Sequence, residues 1–93
     1  MGNFILGMKD QQDVEDTVQS LPNEELDDWK LDKTRELEKT ADYIKTWGGA
    51  PPDQARHIAL LCIEHIARIE CRQQNKGFFY RTRRRMQLIK EYL

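Results

Sequence analysis

Apolar residues recur along this chain at the three- and four-residue spacing of helices, without the two-residue alternation that is typical of strands. In the first such segment Val14, Val18 and Leu21 share one helical face. Asp10 stands before them, where a side-chain oxygen can accept a hydrogen bond from the first turn, so we expect it to cap this helix. Residues 1–9 are then an apolar N-terminal arm.

A second and longer helix is predicted from about Asn23 to Trp47. Its apolar residues form one stripe at 100° per residue, as expected of a helix with one buried face: Leu26, Leu37, Ala41 and Ile44. Gly48 can end this helix in the left-handed conformation, and the two prolines that follow cannot continue it.

A third helix, Pro52–Asn75, carries apolar residues over more than half of its circumference. A surface helix needs a much narrower apolar stripe. The pattern therefore predicts a central helix that neighbours cover on two sides. Some of these neighbours are expected to come from another chain, so that oligomerisation completes the core.

The last predicted helix, residues 78–93, is basic and amphipathic. Its apolar residues share an arc of about 100° that we expect to dock on the rest of the fold: Phe78, Phe79, Thr82, Met86, Ile89 and Leu93. On this reading the arginines project away from the core, in the company of Leu88 and Tyr92.

These elements predict an all-α fold in a single domain, residues 1–93. Two long helices would form an antiparallel hairpin with a short N-terminal helix and the amphipathic C-terminal helix at its ends. Composition agrees, since 39% of residues are apolar, 33% are charged, and glycine and proline are few. We expect a homo-oligomer, most simply a dimer.

The expected location is the cytoplasm, without a membrane partner. No apolar run approaches the roughly 20 residues of a bilayer span, and the first residues lack the features of a secretory signal. Cys62 and Cys71 lie nine residues apart on one predicted helix, about 13 Å along its axis, so they cannot form a disulfide with each other.

The net charge of −1 conceals a division between the two halves of the chain. Residues 1–50 hold twelve acids and six Lys or Arg, whereas residues 51–93 hold four acids and nine. Four of the acids follow one another at i, i+4 spacing and form an acidic ridge: Glu24, Asp28, Asp32 and Glu36. Each like-charged pair destabilises the helix by roughly 0.2–0.5 kcal/mol, which a basic partner would relieve. The alternative is a solvated helix face.

A basic tail is the second candidate surface: Arg81, Arg83, Arg84 and Arg85, with Leu88 and Tyr92 as anchors ringed by arginine. It could bind a protein or the backbone of a nucleic acid. Against nucleic acid, the sequence pI is about 6.1 and the chain has no zinc-finger, RRM or KH signature. The arginines could also meet the acidic ridge, within the chain or across a symmetric interface, where they would set orientation more than affinity.

A polar stripe on the third predicted helix is the third candidate. His65, Arg68 and Arg72 lie on one face and could hold a small anionic ligand, and Glu64 is expected to pair with Arg68 at i, i+4. The alternative is the ordinary solvated side of a mostly buried helix.

No pattern of catalytic or cofactor chemistry is present in the sequence. There is no HxxxH or CxxC pair for a metal, no phosphate loop and no nucleophile with an evident oxyanion hole. We therefore expect no enzyme, no metal and no cofactor. The preferred hypothesis is a small helical interaction protein that binds and modulates, or inhibits, another macromolecule. The alternatives are nucleic-acid binding through the basic tail and capture of a small anion in an oligomer.

Overall fold

The computed structural model describes residues 6–49 and 52–93. Within these ranges the chain forms four α-helices and no strand: α1 (Met8–Ser20), α2 (Leu26–Thr46), α3 (Asp53–Gln74) and α4 (Phe78–Tyr92). A short 3-10 helix, Asn23–Glu25, leads into α2. The all-α prediction is confirmed, whereas the antiparallel hairpin and the oligomer stay predictions.

The start of α1 differs from the sequence prediction. The helix begins at Met8 with Gly7 as its N-cap, so Asp10 lies inside the first turn and does not cap it. The extra turn forms because Gln11 donates its backbone N–H to the Gly7 carbonyl and its side-chain amide to the Leu6 carbonyl, at 3.0 and 2.8 Å. The predicted arm of residues 1–9 is therefore shorter than expected, and its residues 1–5 lie outside the described part of the chain.

The later helix ends agree with the sequence to within a few residues, but the left-handed end expected at Gly48 was wrong. The C-cap of helix α2 is Trp47, which is extended with φ −71°, and no glycine of the described residues has a positive φ.

The run Asn75-Lys76-Gly77 is typical of a helix end, and a left-handed residue within it ends α3: Asn75 has φ 54° and ψ 48°. The Lys76 N–H then bonds the Cys71 carbonyl at 2.9 Å, which satisfies one of the free carbonyls of the last turn. This tight end lets α4 begin at Phe78, after Gly77 as N-cap.

Helix α3 is the centre of the fold, because α1, α2 and α4 all pack against it. Its isoleucines Ile63, Ile66 and Ile69 are no more than 2% exposed, and burial of each such side chain is worth about 1.5–3 kcal/mol. The prediction of a central helix is confirmed. Most of its apolar surface is covered within one chain, which removes one reason to expect a second chain, and the oligomer stays a prediction.

Helix α4 docks through a different face from the predicted one. The buried residues are Arg85, Leu88 and Ile89, and of the predicted docking arc only Ile89 is among them. Phe79 is 82% exposed and Met86 is 46% exposed. The prediction was wrong because it placed every arginine in water, whereas α3 presents buried carboxylates that two of them neutralise.

Within residues 6–49 and 52–93, none of the helices combines the length and the apolar character that crossing a bilayer requires.

Candidate interaction surface

The Glu64 cluster joins three helices through buried charges. The Glu64 carboxylate on α3 is 1% exposed and accepts two hydrogen bonds from Arg85 of α4, at 2.8 and 2.9 Å. Glu64 also accepts from Arg68 Nε at 2.7 Å, which confirms the predicted i, i+4 pair. Arg68 in turn donates to Glu15 of α1 at 2.7 Å. Two carboxylates and two guanidiniums thus compensate one another, as buried charges require, with Glu15 partly exposed at the edge of the cluster.

The Glu70 cluster holds the first half of α4. Glu70 of α3 is 4% exposed and accepts from Arg84 Nε and NH2 at 2.8 and 3.2 Å. The Tyr80 hydroxyl donates to the same carboxylate at 2.9 Å, and Lys30 of α2 lies 3.1 Å from it. Burial alone would raise the pKa of Glu70, but the hydrogen bonds from Arg84, Lys30 and Tyr80 outweigh burial and lower it.

The same balance acts on the carboxylate of the first cluster. Burial would raise the pKa of Glu64, and the hydrogen bonds and charges of Arg85 and Arg68 reverse this, so the pKa lies below its ordinary value. Glu64 is therefore ionised in the fold at neutral pH. Buried, ionised and hydrogen-bonded, it is a structural partner for α4 rather than a general acid or base.

These contacts change the role of the basic tail. Arg84 and Arg85 lie on Glu70 and Glu64, so neither projects into solvent as expected. Arg81 is half-buried, with Cζ 5.6 Å from the Phe78 ring centroid, and only Arg83 of the four is exposed.

The two anchors predicted beside the tail arginines also change. Leu88 is 3% exposed and Tyr92 is half-buried against the core, so Leu88 is not the exposed anchor that the sequence suggested. Arg84 and Arg85 bind acids of α3 and not the acidic ridge. The hypothesis that the tail arginines pair with the ridge within one chain was therefore wrong for these two residues.

The side chains of the predicted anion-binding stripe already bind other groups of the protein. Arg68 is neutralised by two carboxylates, and Arg72 donates to the Val18 carbonyl and to Asn23 Oδ1. His65 donates through Nδ1 to the Leu61 carbonyl at 2.9 Å, and its ring stacks on Trp29 with centroids 6.1 Å apart. This side of α3 is where α1 and α2 dock, so it is not an ordinary solvated face. Arg68 and Arg72 are engaged within the fold, and the anion site stays a prediction.

The acidic ridge is exposed at all four of its positions, Glu24, Asp28, Asp32 and Glu36. One of its charges has a partner, since Glu36 lies 3.6 Å from Lys33 on the same helix. Leu31 is the exposed large apolar residue in this part of α2, at 48%. The ridge is thus a charged surface with little apolar area of its own.

A strip of exposed apolar side chains runs along the free face of α4. It consists of Phe79, Met86 and Leu93, seven residues apart, with Phe78 at its start. Phe78 is 61% exposed and its ring meets that of Phe79 edge-on, with centroids 5.7 Å apart. Soluble proteins seldom leave several large apolar residues aligned in water unless something binds there.

Two cations lie beside this strip, Arg83 and Lys90. Each follows a strip residue by four positions and so lies next to it on the helix surface. Both are exposed, and among the described residues neither side chain has a hydrogen-bond or ion-pair partner. This surface was not predicted from the sequence, because its apolar residues were assigned to the core. The seven-residue recurrence of Phe79, Met86 and Leu93 was the signal that could have identified it.

The thiols and the metal-binding residue types take no part in this surface. Burial, aided by the charge of nearby Glu36, raises the pKa of the Cys62 thiol to about 12, so it stays protonated and unreactive. Burial also raises the pKa of Cys71. In the described part of the chain, no three His, Cys, Asp or Glu side chains are grouped as a metal ion would require.

Comparison of the chain with protein families, with curated proteins and with solved structures gives no match.

Proposed function

We propose that this protein is a non-enzymatic interaction protein that binds and modulates another protein, and that it takes an acidic amphipathic helix of that partner along the strip of α4. The observation that carries the proposal is the division of α4 into two faces. One face packs on α3 through the ion pairs of Arg84 with Glu70 and of Arg85 with Glu64. The other leaves Phe79 and Met86 in water.

The spacing of the apolar residues in the strip favours a helical partner. Phe79, Met86 and Leu93 repeat every seven residues, the spacing at which one helix keeps the same side toward another. The strip extends about 21 Å along the axis, which a partner helix of about 14 residues would cover. Burial of an exposed phenylalanine is worth about 1.5–3 kcal/mol, so two or three such residues supply a binding hot spot.

The charged half favours acidic residues on that helix. Arg83 and Lys90 flank the strip, and Glu91, the acid of this helix, lies about 100° from Lys90 around the axis. Exposed ion pairs with the partner would each add only about 0–1 kcal/mol. Their effect is to select an acidic sequence, to fix its direction and to speed association.

A second copy of the chain fits the strip less well than another protein. The acidic ridge has the right charge, but Leu31 is its exposed large apolar residue, and one leucine cannot match Phe79 and Met86. Self-pairing of two α4 strips would bring Arg83 and Lys90 of both copies together. A symmetric dimer in which α4 meets the partner's ridge remains our second candidate for the oligomer predicted from sequence.

Nucleic acid is the alternative, and fewer residues now support it. Arg84 and Arg85 are bound to glutamates, which leaves Arg83 as the exposed arginine of the tail. The exposed acidic ridge would repel a polyanion approaching from the α2 side. Phe78 and Phe79 could stack on bases, so this reading keeps one favourable feature.

The helix arrangement and the cellular location that we propose are those predicted from the sequence. We propose that α2 and α3 form an antiparallel hairpin in one domain, and that α4 packs on this hairpin in a fixed orientation. Both cysteines are free and buried, which suits a reducing compartment such as the cytoplasm.

Site-specific photo-crosslinking tests the proposal in an extract of the native host. Benzoylphenylalanine replaces Phe79 in the full chain, and the matched control carries it in place of Leu31, an exposed apolar position on α2. We expect a protein adduct from position 79 that position 31 does not give. The crosslinked segment should be an acidic amphipathic helix.

Reconstitution with that segment as a synthetic peptide completes the test. Phe79→Asp combined with Met86→Asp should abolish binding, while Leu31→Asp should leave it intact. Adducts of nucleic acid at position 79 would favour the alternative, and adducts of this chain with itself would favour the dimer. Equal labelling from both positions would contradict a specific site on α4.

A further inference from the structure

A second surface of the molecule is concave and belongs to different helices. An open cavity of about 320 Å³ lies between the last part of α2 and the start of α3. Its apolar lining comes from Tyr43, Pro52, Ala55 and Ile58, and Lys39 and Gln54 add polar groups. This volume is at the lower end of the range for small-molecule sites, which are mostly apolar with a few polar groups.

Lys39 supplies the positive side-chain charge at this cavity. Lys39 is exposed, and among the described residues its side chain has no hydrogen-bond or ion-pair partner. The N-terminus of α3 lies at the same place, because Pro52 is its N-cap and lines the cavity. No side chain caps that helix end, so its first N–H groups are free to bind a carboxylate. The exposed Asp53 in the same turn offsets part of the positive end of the helix dipole.

The aromatic side chains of α2 extend the apolar side of the cavity. The Tyr43 and Trp47 rings are 5.4 Å apart between centroids and are tilted by 48°. Both are about half exposed, at 47% and 45%. A flat ligand held on Tyr43 would therefore also come near the indole of Trp47.

We propose that this cavity binds a small monocarboxylate with an aromatic body. The ring would occupy the space lined by Tyr43, Ala55 and Ile58, and the carboxylate would face Lys39 and the start of α3. One lysine and a largely apolar lining suit a single negative charge, whereas a phosphate dianion usually needs an arginine fork or several backbone donors. The site lies on α2 and α3 and does not depend on the strip of α4.

Titration of the ¹⁵N-labelled full chain with 4-phenylbutyrate, followed by NMR, tests the site. We expect saturable shifts with a dissociation constant below about 1 mM, centred on Tyr43, Ala55 and Ile58. The neutral amide of the same compound should bind at least tenfold more weakly, because it loses the charge interaction and keeps the ring. Lys39→Gln should weaken 4-phenylbutyrate to the level of the amide.

Lys45→Gln is the matched control, since Lys45 is exposed on the same helix and does not line the cavity. Its affinity should be unchanged. Equal binding of acid and amide, or equal loss in both lysine variants, would overturn the assignment, as would the absence of shifts at 5 mM ligand (about fivefold above the expected limit). Tenfold tighter binding of an acetylated tripeptide ending in phenylalanine would also overturn it, by assigning the cavity to a polypeptide end.

Discussion

Arg85 of α4 and Glu64 of α3 form a two-point ion pair inside the protein. Arg85 Nε and NH2 donate to the two carboxylate oxygens at 2.8 and 2.9 Å, and the residues are 9% and 1% exposed. Such a pair fixes both the position and the rotation of the helix that carries the arginine. The face of α4 that points to water, and with it the proposed binding strip, is therefore set by this contact.

Removal of the guanidinium from this pair should destabilise the fold strongly. We expect Arg85→Met to lower the free energy of unfolding by about 3 kcal/mol, because it leaves Glu64 with one of its two arginine partners in a buried site. Arg83→Met is the control, and its effect should stay within about 0.5 kcal/mol because Arg83 is exposed. Urea unfolding followed by circular dichroism measures both. Equal effects of the two changes would show that Arg85 is not buried in this way.

The clustered glutamates should make the fold sensitive to acid. The pKa values of Glu64, Glu70 and Glu15 lie below the ordinary value of 4.5. Their stabilising contribution is therefore complete above about pH 4.5 and is lost as the pH falls through the native values, since the unfolded chain takes up protons first. The free energy of unfolding measured against pH should decline across this range, and the decline should be shallower for Glu70→Gln. A flat profile down to about pH 2.5 would contradict the two clusters.

His65 should cause a separate decline in the free energy of unfolding, at a higher pH than the glutamates. Burial lowers its pKa from 6.5, although its hydrogen bond to the Leu61 carbonyl acts in the opposite direction. As the pH falls below about 6.5, the unfolded chain gains a proton that the folded chain resists, so stability decreases. His65→Gln should remove this part of the profile, and His57→Gln, a change at an exposed position, should retain it. If the two variants gave the same profile between about pH 6.5 and 5, the burial of His65 would be refuted.

The helices were predictable because their signals are local. The spacing of Val14 and Val18, the Asn75-Lys76-Gly77 run and the wide apolar surface of α3 each depend on neighbouring residues, and each agrees with the structure. The start of α1 was not predicted, because Gly7 caps it by backbone conformation and provides no side-chain signal. The end of α2 also differs, since an extended Trp47 ends it in place of a left-handed Gly48.

The docking face of α4 could not be predicted in the same way. Periodicity counts apolar residues, and on that count Phe79 and Met86 outweigh an arc that holds Arg85. The deciding partners, Glu64 and Glu70, lie 21 and 14 residues away from the arginines they bind. Their position as acids within the most apolar helix is a hint of buried pairing, but which arginine each one meets depends on how the two helices cross.

Truncation of a side chain should reduce stability strongly on the buried face of α4 and hardly at all on its exposed face. Leu88→Ala should lower the free energy of unfolding by about 2–5 kcal/mol, since Leu88 is 3% exposed within the core. Phe79→Ala should change it by less than about 0.5 kcal/mol, since that ring is 82% exposed. Thermal and chemical unfolding of both variants measure these changes in the free energy of unfolding. A large loss from Phe79→Ala would mean that α4 docks through the face predicted from periodicity.

The most direct test of the proposed function uses a helix built to the partner's expected chemistry. The probe is a synthetic peptide of about 20 residues with leucine at the seam positions of a heptad repeat and glutamate beside them. Added to the ¹⁵N-labelled full chain, it should shift the amides of Phe79, Arg83, Met86 and Lys90, with saturation and with weaker binding at high salt. The same peptide with lysine in place of glutamate should bind at least tenfold more weakly. Shifts confined to α2, or equal binding of the acidic and basic peptides, would contradict an acidic helix on α4.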